Sequence, residues 1–133
     1  MSGINKHGFA HIYAVAVADE RHIWNVERLW DLARALTPEP VEIESLGGVD
    51  ENVWFTHTKP TLREVVMHAK KIAHADMRHP IILDVDGKIM DGAHRVAKAM
   101  LEGRSHVQAV RFSVQPQPDA IERGVCSAEG LGK

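Results

Sequence analysis

The sequence lacks the features that mark secreted and membrane proteins. Its 133 residues contain one cysteine, Cys126, so no disulfide can form within the chain and nothing indicates an oxidising compartment. The longest apolar run is a few residues around Tyr13, which is too short to cross a bilayer. No basic leader precedes a hydrophobic block near Met1, so a secretory signal is not indicated. We therefore expect a cytoplasmic protein with no membrane partner.

The chain also lacks an excess of positive charge. Sixteen Lys and Arg residues stand against 18 Asp and Glu residues, for a formal net charge of -2. Binding to nucleic acid without sequence preference depends on Lys and Arg side chains that neutralise phosphates, so we do not expect a nucleic-acid partner. The 44% of hydrophobic residues is enough for a core, because a chain of this length buries roughly 65–70% of its unfolded surface.

The spacing of the apolar residues predicts an α/β chain of the α+β kind. It predicts a strand over residues 9–18, a helix over residues 23–36 that begins at an Asp19 N-cap, and a short strand over residues 41–46. Thr61 and Glu64 have the spacing of a capping box, which predicts a helix over residues 62–77.

The second half of the chain predicts a hairpin, a helix and a final strand. Asp86-Gly87 lies between two apolar runs, a pattern typical of a hairpin. A helix follows and ends at Gly103, and a strand is predicted over residues 106–114. We expect one domain over residues 1–118, whose first 40 residues or so form an N-terminal strand-helix extension, and a flexible tail over residues 119–133.

The junction between the hairpin and this helix carries the clearest chemical signal. The first turn of a helix has unpaired backbone amides and a partial positive charge, so it attracts anions. Gly92 allows close approach to the backbone, His94 can donate a hydrogen bond or move a proton, and Arg95 can offer a planar fork to phosphate oxygens. Asp91 is either a helix cap or a ligand for Mg²⁺. Lys98, one turn after His94, can reach the same anion or lie on an exposed face.

The residues from His79 to Phe112, HPIILDVDGKIMDGAHRVAKAMLEGRSHVQAVRF, resemble the core of the ParB and sulfiredoxin superfamily. The resemblance lies in a Pro-Ile strand, a short hairpin and an Asp-Gly-x-His-Arg turn that opens a helix. It implies the small mixed sheet with packed helices of that superfamily, in which this turn holds the phosphates of CTP, ATP or ADP. It implies phosphate contacts for Gly92, Ala93, His94 and Arg95, and a role for Asp91 in bridging a metal or accepting a proton.

The departures from the superfamily narrow the expected activity. Ala93 stands where sulfiredoxin has its essential cysteine, so sulfiredoxin activity is not expected. In the partition proteins a helix-turn-helix region follows this core, whereas only a predicted tail follows Phe112 here, so centromere binding in the usual way is not expected. The related serine kinases use a catalytic glutamate before the core, but residues 54–60 contain none, and Glu64 is explained by its capping box. His57, in the loop expected to face the phosphate turn, is our candidate for a second proton carrier.

Three functions follow as expectations. The first is an ATP- or ADP-dependent phosphotransferase or nucleotide hydrolase that acts on a small molecule, with Asp91, His94 and His57 as catalytic residues and Mg²⁺ near Asp91. The second is a sensor without turnover, in which the bound nucleotide changes the contacts of a homodimer or of another partner. The third and weakest is a ParB-like nuclease.

Overall fold

The structure is a computed structural model, and it describes residues 6–55 and 59–124. In chain order the elements are β1 (Ile12–Val17), β2 (Glu20–Asn25), α1 (Val26–Ala33), β3 (Glu39–Glu42), a 3₁₀ turn (Ile43–Ser45), α2 (Leu62–Ala73), β4 (Ile81–Leu83), β5 (Ile89–Asp91), α3 (Ala93–Leu101), β6 (His106–Arg111) and β7 (Ala120–Arg123). Three helices and two small sheets confirm the predicted α+β class. Among the described residues, no helix is long and apolar enough to cross a membrane.

The chain divides into two compact units, one of residues 1–35 with 115–133 and one of residues 36–114. The first unit contains the antiparallel sheet β1-β2-β7 and helix α1. Ile23 and Leu29 are fully buried there, and the Trp24 indole donates to the Pro116 carbonyl over 2.8 Å.

Two predictions for this first unit are wrong. Residues 20–25 form strand β2, and the helix begins only after Asn25, whose side chain accepts from the Glu27 amide as the N-cap in place of Asp19. The apolar spacing that suggested a helix is overridden because β2 pairs with a strand on each side, which satisfies its backbone. Residues 120–123, placed in a flexible tail by the sequence, are the third strand of this sheet.

The second unit contains a mixed sheet in the order β3-β6-β4-β5. Strands β4 and β6 are parallel neighbours, so the chain between them must cross over, and α3 lies in that crossover. The helix packs Val96 and Ala99 into a core with residues of the sheet and the 3₁₀ turn; the other buried members are Ile43, Leu46, Ile81, Leu83, Val107 and Ala109.

The local turn and cap predictions in this unit are confirmed. Thr61 and Glu64 form both bonds of the capping box at the start of α2, and Asp86-Gly87 lies in the turn between β4 and β5. The strand predicted over residues 41–46 corresponds to β3, which is shorter and begins earlier, because Ile43 begins the 3₁₀ turn. Helix α2 ends at Ala73, earlier than the predicted residue 77, and none of its residues is fully buried.

Candidate functional site

Helix α3 starts immediately after strand β5, at the junction that the sequence singled out. Gly92 is the N-cap residue and has a φ of +112°, a conformation that only glycine adopts at low cost. A Cβ atom at this position would lie 2.6 Å from Cγ2 of Ile81. Glycine is therefore required twice, once by the backbone angle and once by the close approach to β4.

Four aromatic rings meet beside this junction. The rings of His68, on α2, and His94, on α3, are inclined by only 13°, and Nδ1 of His68 lies 2.8 Å from Nε2 of His94. Trp54 stacks on both imidazoles, with ring centroids 4.6 Å from His68 and 4.5 Å from His94. Phe55 meets the His68 ring edge-on at 5.1 Å. We call Trp54, Phe55, His68 and His94 the aromatic cluster.

The aromatic cluster keeps its imidazoles neutral. The pKa of His94 is lowered to about 4, mainly by burial and then by the charges of His68 and Lys71, although Asp91 acts in the opposite direction. Burial and then the Lys71 ammonium also lower the pKa of His68. Near neutral pH both rings are therefore uncharged, and one donates the hydrogen bond that the other accepts.

An apolar groove of about 330 Å³ lies along the same helix. Its wall includes Ala93, the first residue of α3, and Trp54 and Phe55 of the aromatic cluster. Glu51 and Asn52 are the polar residues of the lining; the others are Gly48, Val49, Val53, Ile89, Val96, Ala97 and Met100. This volume lies at the lower end of the range for sites that bind small molecules.

Asp91 and Arg95 bind each other. The Arg95 guanidinium donates to the Asp91 carboxylate over 3.0 Å and to the His79 carbonyl over 3.4 Å. Arg95 lines a second pocket and is absent from the lining of the groove. Residues 93 and 95 are two positions apart on the helix, so their side chains project in nearly opposite directions.

The ammonium group of Lys98 binds backbone carbonyls at the C-terminal end of α2. It donates to the carbonyls of Ala73 and Ala75 over 3.1 Å and 3.2 Å. These contacts place a cation at a helix C-terminus, where unpaired carbonyls and the helix dipole favour it. They account for Lys98 without a bound phosphate.

Asp91, the predicted magnesium ligand, is paired with an arginine. No group of three or more His, Cys, Asp or Glu side chains among residues 6–55 and 59–124 is arranged to hold a metal ion, and the Asp91 carboxylate already pairs with Arg95. His57, the predicted second proton carrier, lies outside the described residues.

The structure brings together some of the predicted residues and adds Trp54, Phe55 and His68, which the sequence did not predict as site residues. Gly92, Ala93 and His94 lie at the junction. Arg95 pairs there with Asp91 and is absent from the lining of the groove, and Lys98 binds carbonyls at the end of α2. The available signal for His68 was its position beside the apolar face of α2, which directs a side chain toward the protein interior.

Comparisons with other proteins add nothing to this geometry. No protein-family profile, curated protein or solved structure matches the chain. The candidate site is therefore interpreted from its own residues.

Proposed function

We propose that the protein binds a nucleotide in the apolar groove and uses the His68–His94 pair to move a proton during hydrolysis or transfer of its terminal phosphate. The observation that carries the proposal is the position of Trp54 between the groove and the histidine pair. Trp54, Phe55 and the first residue of α3 line one groove, and Trp54 also stacks on both histidines. An aromatic platform and a helix N-terminus thus share the groove, and a neutral acid-base pair stacks against Trp54 of that platform.

The groove suits the base of a nucleotide. A planar, weakly polar ring gains from burial against aromatic and aliphatic side chains, and Trp54, Phe55 and Val53 provide them. Glu51 and Asn52 add a carboxylate and an amide to the same lining. These groups can bond the exocyclic atoms of the base or the hydroxyls of the sugar.

The phosphates fit the start of α3. Backbone amides in the first turn of a helix point along its axis, where the helix dipole favours negative charge. Ala93 presents only a methyl group to the groove, so a bulky anion can lie against the first turn.

His94 is our candidate for the residue that takes up the proton. When its Nε2–H donates to Nδ1 of His68, its own Nδ1 carries a lone pair. A water or alcohol that attacks the phosphate gives its proton to that nitrogen as the new P–O bond forms and the nucleotide leaves as the diphosphate or monophosphate. An adjacent phosphate raises the proton affinity of the imidazole, because an opposite charge stabilises its cation.

The binding step can be tested with the fluorescence of Trp54. ATP, ADP, CTP and GTP are titrated into the protein, each with and without Mg²⁺, while tryptophan emission is recorded. We expect one or more of them to change the emission saturably. The Trp54→Phe variant should lose this response, and Trp30→Phe, which alters a 43% exposed indole outside the groove, should keep it. The nucleotide proposal fails if none of the four nucleotides changes the emission.

The chemical step is tested with the nucleotide that binds. Phosphorus NMR of the mixture, alone and with small alcohols or amino acids added, should show loss of the terminal phosphate to water or to the acceptor. Saturable binding with no product after prolonged incubation would contradict catalysis and identify a nucleotide sensor.

A further inference from the structure

A second pocket, of about 130 Å³, lies in the unit formed by residues 36–114 and has a basic lining. Arg95 and Arg104 line it together with His79 and His106. Gln108 also contributes, and no Asp or Glu is part of the lining. We propose that this basic pocket binds a small tetrahedral oxyanion, the phosphate group of a ligand or free phosphate, at a site separate from the groove.

The four basic side chains come from three different parts of the unit. His79 precedes β4, Arg95 lies on α3, and Arg104 and His106 flank the start of β6. Arg95 and Arg104 therefore converge on one concave surface. An oxyanion bound there can accept charge-assisted hydrogen bonds from both guanidinium groups.

Carboxylates outside the lining contact three of the basic side chains. Arg104 donates to Glu102 over 2.8 Å, Arg95 to Asp91 over 3.0 Å, and the His79 ring lies 3.5 Å from Asp76. These acids are outside the lining. A guanidinium has five N–H donors in a fixed plane, so an arginine oriented by one carboxylate still has donors for a second oxyanion.

The size of the pocket favours a small ligand. Its volume equals that of about four water molecules at roughly 30 Å³ each, which suits one phosphate with part of its hydration shell. Gln108 can donate an amide hydrogen to such an oxyanion. Met77, Ile81 and Val107 form the apolar part of the wall.

The experiment is a titration of the whole chain with sodium phosphate at constant ionic strength, followed by proton NMR of the histidine rings. We expect saturable shifts of the His79 and His106 resonances. Arg104→Gln should weaken binding about tenfold or more, because it removes one charge-assisted interaction. Gln108→Glu, which keeps the side-chain shape and adds a negative charge to the lining, should abolish binding.

The control is Arg34→Gln, which makes the same change of charge at an exposed residue of the first unit. It should leave the phosphate affinity unchanged. Equal weakening by Arg34→Gln and Arg104→Gln would show general attraction to positive charge and overturn the proposal, as would the absence of saturable shifts at His79 and His106.

The two sites can fail independently. If phosphate shifts His79 and His106 while no nucleotide changes Trp54 emission, the basic pocket stands and the proposed nucleotide function falls. If phosphate displaces a bound nucleotide and leaves His79 and His106 unshifted, phosphate binds only at the start of α3, and the basic pocket is not an anion site.

Discussion

His68 and His94 share one hydrogen bond, with their ring nitrogens 2.8 Å apart, although they are 26 residues apart in the chain. Only one proton can occupy the line between the two nitrogens, so one imidazole donates and the other accepts. Trp54 covers both rings and holds them nearly coplanar. The pair is the most specific chemical feature of the candidate site.

The first prediction is that acid weakens the fold through this pair. The pKa of His94 is about 4 in the folded chain, against 6.5 for an ordinary histidine. Between these values the unfolded chain binds a proton that the folded chain does not, so the free energy of unfolding falls as the pH falls from about 6.5 to about 4. Urea unfolding at several pH values measures this slope. His94→Gln should flatten it, whereas His74→Gln, which changes an exposed residue at the end of α2, should not.

The second prediction concerns turnover of the nucleotide that binds. His94→Gln should lower the rate of phosphate loss by roughly 10²- to 10⁴-fold, the range for removal of a general base. His68→Gln should have a smaller effect and shift the pH profile, because His68 acts by orienting His94. Nucleotide affinity, read from Trp54 emission, should change little in either variant. Wild-type turnover in His94→Gln would remove the histidine from the mechanism.

The third prediction is that Lys98 stabilises α2 and does not bind the nucleotide. Lys98→Met should lower the free energy of unfolding by about 1–2 kcal/mol, since it removes the bonds to the carbonyls of Ala73 and Ala75. Lys70→Met removes a charge from an exposed position of α2 itself, and it should change the free energy of unfolding by less than about 0.5 kcal/mol. A large loss of nucleotide affinity in Lys98→Met, with stability unchanged, would support the phosphate contact that the sequence predicted.

The fourth prediction separates the two reasons for glycine at position 92. Gly103 also has a positive φ, of +76°, but a Cβ atom there would meet nothing within 4 Å. Gly103→Ala should therefore cost only the backbone strain, about 1–2 kcal/mol. Gly92→Ala should cost roughly 1–3 kcal/mol more, because its Cβ would overlap Ile81. Chemical unfolding of the two variants measures the difference, and equal losses would contradict the close contact with β4.

The sequence by itself determined those parts of the fold that depend on neighbouring residues. The capping box of Thr61 and Glu64 and the hairpin turn at Asp86-Gly87 involve bonds and backbone angles within a few positions, so local patterns were sufficient to predict them. The start of α3 after Gly92 was predicted for the same reason.

The tertiary structure alone decided which side chains meet. Strand β2 exists because the adjacent β1 and the distant β7 together satisfy its backbone, and that pairing outweighs a helical spacing of apolar residues. His68, His94 and Trp54 come together through the packing of α2, α3 and a loop, and Lys98 is drawn to carbonyls 23 and 25 residues away. Contacts between residues so far apart in the chain depend on the whole unit being folded, which no local pattern encodes.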